Sequence, residues 1–343
     1  MSDFADRLIR WQRKHGRHDL PWQNTTDPYR VWLSEIMLQQ TQVATVVPYY
    51  ARFLDRFPRL ADLAAAPVDE VMALWSGLGY YARARNLHAC AQAVMANHGG
   101  QFPQRPEELS ALPGIGRSTA NAIAVFCFGA QLPILDGNVK RVLARCLGID
   151  GFPGTAAVES RLWRHAESLL PAKHLPAYIQ GQMDLGATIC TRGRPRCDAC
   201  PLAEICVARR DGRVAELPTP RQTRPLPERM ATLLVLRHND RVLLEQRPPT
   251  GIWGGLLSLP ELPEGADPAR HAAEHLGTRI TAVSPAPTFV HIFTHFRLHI
   301  SPLLCEAEPL PHSAEAGLRW VDRAALAATG LPAPVRRILA APD

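Results

Sequence analysis

From Asp27 to about Ile205, apolar residues recur at spacings of three and four between breaks at Pro48, Pro58, Pro67, Gly77, Gly99 and Pro113. That period predicts a run of short helices with no alternating strand among them. The stretch 216–227 then packs four prolines into twelve residues without hydrophobic periodicity, which predicts an extended, semi-rigid linker. Beyond it the pattern turns to alternation. Residues 231–236 and 241–245 read as strands paired across a turn at His238-Asn239-Asp240, and Phe289 to Ile300 reads as further strand. The fold class expected is multidomain: an all-α region followed by an α+β domain. A length of 343 residues gives each part enough chain to bury its own core.

Charge adds one hint: 38 Lys and Arg against 32 Asp and Glu give a net charge of +6, which favours a polyanionic partner. Eight cysteines without a hydrophobic signal segment argue against a secreted disulfide scaffold and for a reducing, cytoplasmic location, nucleoid-associated in a bacterium. No run of 18 apolar residues occurs, so no membrane contact is expected.

Cys190, Cys197, Cys200 and Cys206 form a C-x6-C-x2-C-x5-C array within seventeen residues. The array is too tight and one-sided for a two-half zinc ribbon and is compatible with four thiolates on one cluster, although thiolate count alone does not separate iron–sulfur from zinc. Arg192, Arg194 and Arg196 lie between the first two cysteines, where an ordered loop would offer cations to a phosphate backbone. Cys90, Cys127, Cys146 and Cys305 lack ligand spacing and read as small buried hydrophobes.

The segment 112–120, Leu-Pro-Gly-Ile-Gly-Arg-Ser-Thr-Ala, is a helix–turn–helix junction. Gly114 and Gly116 free its backbone to approach a phosphate beside Arg117 and a helix N-terminus. A second feature follows it, Pro133-Ile-Leu-Asp-Gly-Asn-Val-Lys-Arg141. Together they resemble the helix-hairpin-helix, Gly/Pro-rich-loop-then-Asp signature of the DNA glycosylase superfamily that includes endonuclease III. The cysteine array stands where that superfamily carries one [4Fe-4S] cluster. The resemblance implies Asp136 as the active-site aspartate.

Within that superfamily, residues 32–43, Trp-Leu-Ser-Glu-Ile-Met-Leu-Gln-Gln-Thr-Gln-Val, are similar to the MutY-type adenine glycosylases, which implies Glu35 as the catalytic glutamate. The residues support that role on physical grounds, since Val31, Trp32, Ile36 and Leu38 make Glu35's helix mostly apolar and desolvation disfavours a carboxylate. A protonated acid beside an ionised Asp is the division of labour that N-glycosidic cleavage needs. Where lyase relatives place a nucleophilic lysine, this chain has Ser118, which cannot form a Schiff base. The resemblance therefore implies a monofunctional enzyme, acting as a monomer on double-stranded DNA with adenine opposite 8-oxoguanine or guanine. Tyr80, in Gly77-Leu-Gly-Tyr-Tyr-Ala-Arg-Ala-Arg, is the wedge that the resemblance implies. Gln39, Gln40 and Gln42 suit contacts to the orphaned base, while Asn138 and Lys140 suit backbone contacts.

Residues 228–343 resemble the Nudix-like domain that this family uses to recognise the lesion. Gly255 and Glu261 keep the opening spacing of a Nudix box, but His271 and His275 stand where metal-binding glutamates would. Imidazole is a poor ligand for a hard cation, so binding rather than hydrolysis is expected. Phe293-Thr294-His295 matches the family's Phe-Ser-His recognition loop, with Thr294 keeping the hydroxyl. The expected boundaries are a helical glycosylase region over 1–215, a linker over 216–227 and a Nudix-like domain over 228–343. Within the helical region, 27–135 would form a six-helix lobe and 1–26 with 136–215 the cluster lobe.

Overall fold

A computed structural model describes residues 3–222, 225–248, 250–311 and 317–341. Its helices begin α1 (Asp3–His15), α2 (Pro28–Leu38), α3 (Val43–Arg56), α4 (Leu60–Ala65), α5 (Val68–Trp75) and α6 (Ala82–His98). They continue as α7 (Pro106–Ser110), α8 (Arg117–Phe128), α9 (Gly137–Leu147), α10 (Ala156–Ser168), α11 (Leu175–Thr188) and α12 (Val207–Arg210). The strands then follow: β1 (Glu228–His238), β2 (Arg241–Gln246), β3 (Leu257–Ser258), β4 (Glu261–Leu262), β5 (Thr278–Pro285), β6 (Phe289–Ile292), β7 (Arg297–Pro309) and β8 (Leu318–Asp322). Helix α13 (Pro268–His275) precedes β5, and α14 (Ala333–Leu339) follows β8.

By its contacts the chain forms two compact units, Met1–Ala65 with Asn86–Thr223 and Ala66–Arg85 with Arg224–Asp343. The first is wholly helical among the described residues, as its period indicates. Leu8, Val139, Leu143, Leu162, Tyr178 and Leu185 are buried in its core, each contributing about 2 kcal/mol of apolar burial. Pro48 does not end a helix as its sequence position suggests; it lies inside α3. The carbonyl it leaves unpaired, four residues earlier, belongs to exposed Ala44 and so can be satisfied by water.

In the second unit the sheet runs β3-β2-β1-β7-β5, with β4 on β1, β6 on β7 and β8 on β2. The long central pair β1 and β7 is parallel, with Leu234 opposite Leu303, and Leu234, Leu236, Leu243 and Cys305 pack under α13 with Ala272 and Leu276. The strand expected over 289–300 is present as a hairpin, β6 and the start of β7. The Phe293 N–H donates to the Phe296 carbonyl at 2.9 Å, closing the turn between them. The proline-rich stretch is tied down at both ends rather than free. Leu217 is buried and its carbonyl accepts from Arg145 Nε at 2.7 Å, while the Pro227 carbonyl accepts from the Arg297 N–H at 2.8 Å. Among the described residues no helix is long and apolar enough to cross a membrane.

Candidate active site

Helix α2 begins on Asp27, whose carboxylate accepts from the Tyr29 N–H at 2.9 Å, with Pro28 at its first position. Six of its residues, Tyr29, Val31, Trp32, Leu33, Ile36 and Met37, are buried hydrophobics, so the helix is embedded on most sides and Glu35 is its one acid. Glu35 lines a cavity of about 430 Å³, together with Arg17, Trp22, Ser34, Phe126 and Gln180, a volume suited to a small heterocycle. Burial pushes its carboxyl up to about 7, and the charge of Asp136 adds to the shift.

Asp136 caps α9. Its carboxylate accepts from the Val139 N–H at 2.7 Å and from Asn138 Nδ2 at 3.2 Å. Burial raises its pKa, and these hydrogen bonds with the Arg141 charge pull against that rise. Asp136 thus has donors dedicated to its charged form, whereas burial and the Asp136 charge both favour the protonated form of Glu35. Of two coupled carboxyls, Asp136 is the one set to ionise and Glu35 the one set to hold a proton.

The hairpin is joined to this acid. Ser118 Oγ accepts from the N–H of Leu135, the residue before Asp136, at 3.0 Å, and Asn121 Nδ2 donates to the Pro133 carbonyl at 2.7 Å. Gly114 has φ +75°, and a Cβ there would lie 2.7 Å from the Asn86 Cβ, so the turn admits only glycine without rearrangement. Gly116 caps α8. Arg117 pairs with Glu167 at 2.7 Å and lies 3.9 Å over the Trp163 ring, and Lys140 pairs with Glu159 at 2.7 Å. Both cations are therefore held in place by neighbours. Gln39 and Gln40 follow α2, with Gln40 at φ +57°, and Gln42 caps α3.

Sequence reasoning missed three residues of the cavity wall and its support. Buried Asp184 accepts from the Arg17 N–H at 3.0 Å, from Arg17 Nε at 2.7 Å and from Gln180 Nε2 at 2.9 Å. Because a carboxylate only accepts, it fixes the Gln180 amide with its nitrogen turned inward, leaving Oε1 as an acceptor for a ligand. The available signal was Asp184 as the one charged residue of α11.

Cys190, Cys197, Cys200 and Cys206 line one cavity with Ile189 and Pro195, and all eight cysteines are free thiols. Among the described residues no group of three or more His, Cys, Asp or Glu is gathered as for a metal ion, so the fit rests on the shared cavity and on a donor set made only of sulfur, which suits a soft iron–sulfur cluster. Arg141 bridges this loop to the acid: it donates to the Cys190 carbonyl at 2.7 Å and to Asn138 Oδ1 at 2.9 Å. Cys90, Cys146 and Cys305 are buried, as expected of small hydrophobes, whereas Cys127, expected to be buried with them, is only half-buried.

In the second unit the hairpin turn presents Thr294 and His295 to solvent, while Phe293 stacks on Phe296 at 4.5 Å and contacts Trp253 at 6.1 Å. Tyr80 belongs to the same unit; it has φ +47° and is 47% exposed.

With this geometry in hand, comparison with known proteins is informative. Residues 33–168 match the family profile described as HhH-GPD superfamily base excision DNA repair protein, and residues 231–341 match the NUDIX domain. The chain is 36% identical to the adenine DNA glycosylase of Buchnera aphidicola subsp. Acyrthosiphon pisum, covering 98% of this chain and 96% of that relative. It is 34% identical to that of Mus musculus, covering 94% of this chain and 74% of the mouse protein. Among solved structures, a thermostable thymine-DNA glycosylase superposes with a TM-score of 0.56 at 28% identity, over 61% of this chain and 95% of the other. A non-covalent endonuclease III–DNA complex superposes at 0.53 and 22% identity, over 61% and 94%, which shows a shared fold.

Proposed function

The chain belongs to the adenine DNA glycosylases of base excision repair, and on that premise we propose that it removes adenine opposite 8-oxoguanine or guanine in duplex DNA, as a monofunctional hydrolase. The observation that carries the reading is Glu35, an acid held protonated near neutral pH at the wall of a base-sized cavity and within the field of Asp136. Flipped adenine enters that cavity with its exocyclic amine toward Gln180 Oε1. Glu35 protonates N7 and the C1′–N9 bond breaks. Asp136 stabilises the positive charge on the sugar, and water attacks to leave an abasic site. No lysine stands at Ser118 to trap that sugar.

DNA is held by the hairpin at Gly114 and Gly116, by Arg117, Lys140 and Asn138, and by the glutamines Gln39, Gln40 and Gln42; Phe293, Thr294 and His295 read the lesion. Cys190, Cys197, Cys200 and Cys206 would hold a [4Fe-4S] cluster. When bound, that cluster supplies a rigid loop displaying Arg192, Arg194 and Arg196. His271 and His275, in place of carboxylates on α13, fit a binding rather than a hydrolytic role for the C-terminal domain.

The test is single-turnover adenine release from duplexes with adenine opposite 8-oxoguanine, guanine or thymine. Release from the first two by the wild type, not by Glu35→Gln, with strand breaks only after alkali, is expected. Scission without alkali, or no release from any mispair, refutes the reading.

A further inference from the structure

The turn that carries Tyr80 is held in a conformation that its own sequence does not favour. Tyr80 has φ +47° between Gly79 at +69° and Tyr81, and a bulky residue in the left-handed region persists only where its surroundings over-determine it. Part of that constraint is local. Trp75 Nε1 donates to the Gly79 carbonyl at 3.1 Å. Arg83 donates to the Leu78 and Gly79 carbonyls at 3.2 and 3.3 Å, with its guanidinium 5.5 Å from the Tyr80 ring centre.

The rest comes from residues far along the chain in the same compact unit. Ser76 Oγ and Tyr81 Oη both donate to the Leu331 carbonyl, at 3.1 and 3.4 Å. One carbonyl, with two lone pairs, thereby staples the two sides of the Tyr80 turn. Arg336 donates to Ser76 Oγ at 3.1 Å and to the Thr329 carbonyl at 3.0 Å, and Arg85 donates to the Gly254 carbonyl.

We propose that Ser76, Tyr81 and Arg85 are positioning residues through which the C-terminal domain sets the geometry of the Tyr80 wedge, so that opening of the base stack depends on that domain. The inference builds on the proposed function, in which Tyr80 is the wedge. It gives the C-terminal domain a second task beyond reading the lesion: wedge and recognition hairpin belong to one compact unit, while Glu35 and Asp136 belong to the other.

The experiment uses the full chain and a duplex with 2-aminopurine in place of adenine opposite 8-oxoguanine. Fluorescence reports unstacking and product analysis reports excision. Ser76→Ala/Tyr81→Phe removes both donors to Leu331 without adding bulk, and is expected to lower opening and excision together by roughly thirtyfold, the factor set by two ordinary hydrogen bonds. The alkaline limb of its pH–rate profile stays where the wild type has it, because Glu35 is untouched. Ser76→Thr, which keeps the hydroxyl, retains wild-type opening. For Arg85→Gln, the dependence of binding on salt should keep its wild-type slope; a slope shallower by about 0.9 makes Arg85 a phosphate contact instead. Wild-type opening in the double variant, or excision lost with opening intact, overturns the clamp. Tyr80→Ala is the reference: if its own opening is unimpaired, the wedge assignment fails rather than the clamp.

Discussion

Glu35→Gln keeps the shape of the side chain and removes its titratable proton, so it tests the acid assignment in two independent ways. The wild-type carboxyl stands at about 7 because burial and the Asp136 charge both oppose its ionisation. A general acid must be protonated, so the single-turnover rate of the wild type should fall about tenfold per pH unit above that value. Glu35→Gln should be slower by about 10²–10⁴-fold and lack the alkaline limb. The same shift has a cost in stability. The unfolded chain ionises its glutamate near pH 4.5, but the folded protein holds the proton until about 7. Stability is thus unaffected below the lower value, declines between the two, and above about 7 is reduced by about 3 kcal/mol, less whatever pocket water screens. Glu35→Gln escapes that penalty. Its gain in denaturant midpoint over the wild type should be larger at pH 8 than at pH 5. An alkaline limb that persists in the variant, or a stability difference that does not change with pH, would refute the assignment of Glu35 as a buried acid.

Other substitutions probe the support of the two acids, the cysteine loop and the recognition turn. Asn138→Ala removes a donor to the charged form of Asp136, so the Asp136 carboxyl rises and the acid limb of the pH–rate profile moves to higher pH; an unmoved limb means that Asn138 does not tune it. Asp184→Ala leaves Arg17 and Gln180 without their shared acceptor and should cost about 3 kcal/mol in urea unfolding, together with weaker adenine binding. Cys197→Ser should lower iron content, visible absorbance and DNA binding together, and an iron-free, fully active protein would contradict a structural role for the cluster. Thr294→Val, which keeps the shape and removes the hydroxyl, should reduce the preference for 8-oxoguanine over guanine by roughly fivefold, measured as a ratio of excision rates.

Much of this molecule is written locally. The three- and four-residue period forces helices because it places apolar side chains on one face. The Pro-Gly-Ile-Gly turn, the Asp136 cap and the cysteine spacing each depend on residues close in sequence, and the resemblance they carry fixed the family. Glu35 could be read as an acid with a raised pKa because it is the one acid of a helix whose other positions are mostly apolar, and burying that helix buries the acid with it. The loop at Phe293-Thr294-His295 was legible by resemblance, but its turning the chain back between two paired strands was not, since the run has strand propensity and the Phe293–Phe296 stack and closing hydrogen bond make the turn. Gln180 and Asp184 are four apart on α11, but their partner was invisible until α11 met the segment holding Arg17, 167 positions away from Asp184. The grouping of residues 66–85 with the C-terminal strands was equally beyond the sequence. Their period is that of the helical region around them, and it is backbone carbonyls more than 160 residues distant that claim their side chains. A backbone acceptor has no residue-type signature. The sequence thus determined the elements and the chemistry that local patterns encode, and the tertiary structure alone decided which distant carbonyls and carboxylates hold that chemistry in position.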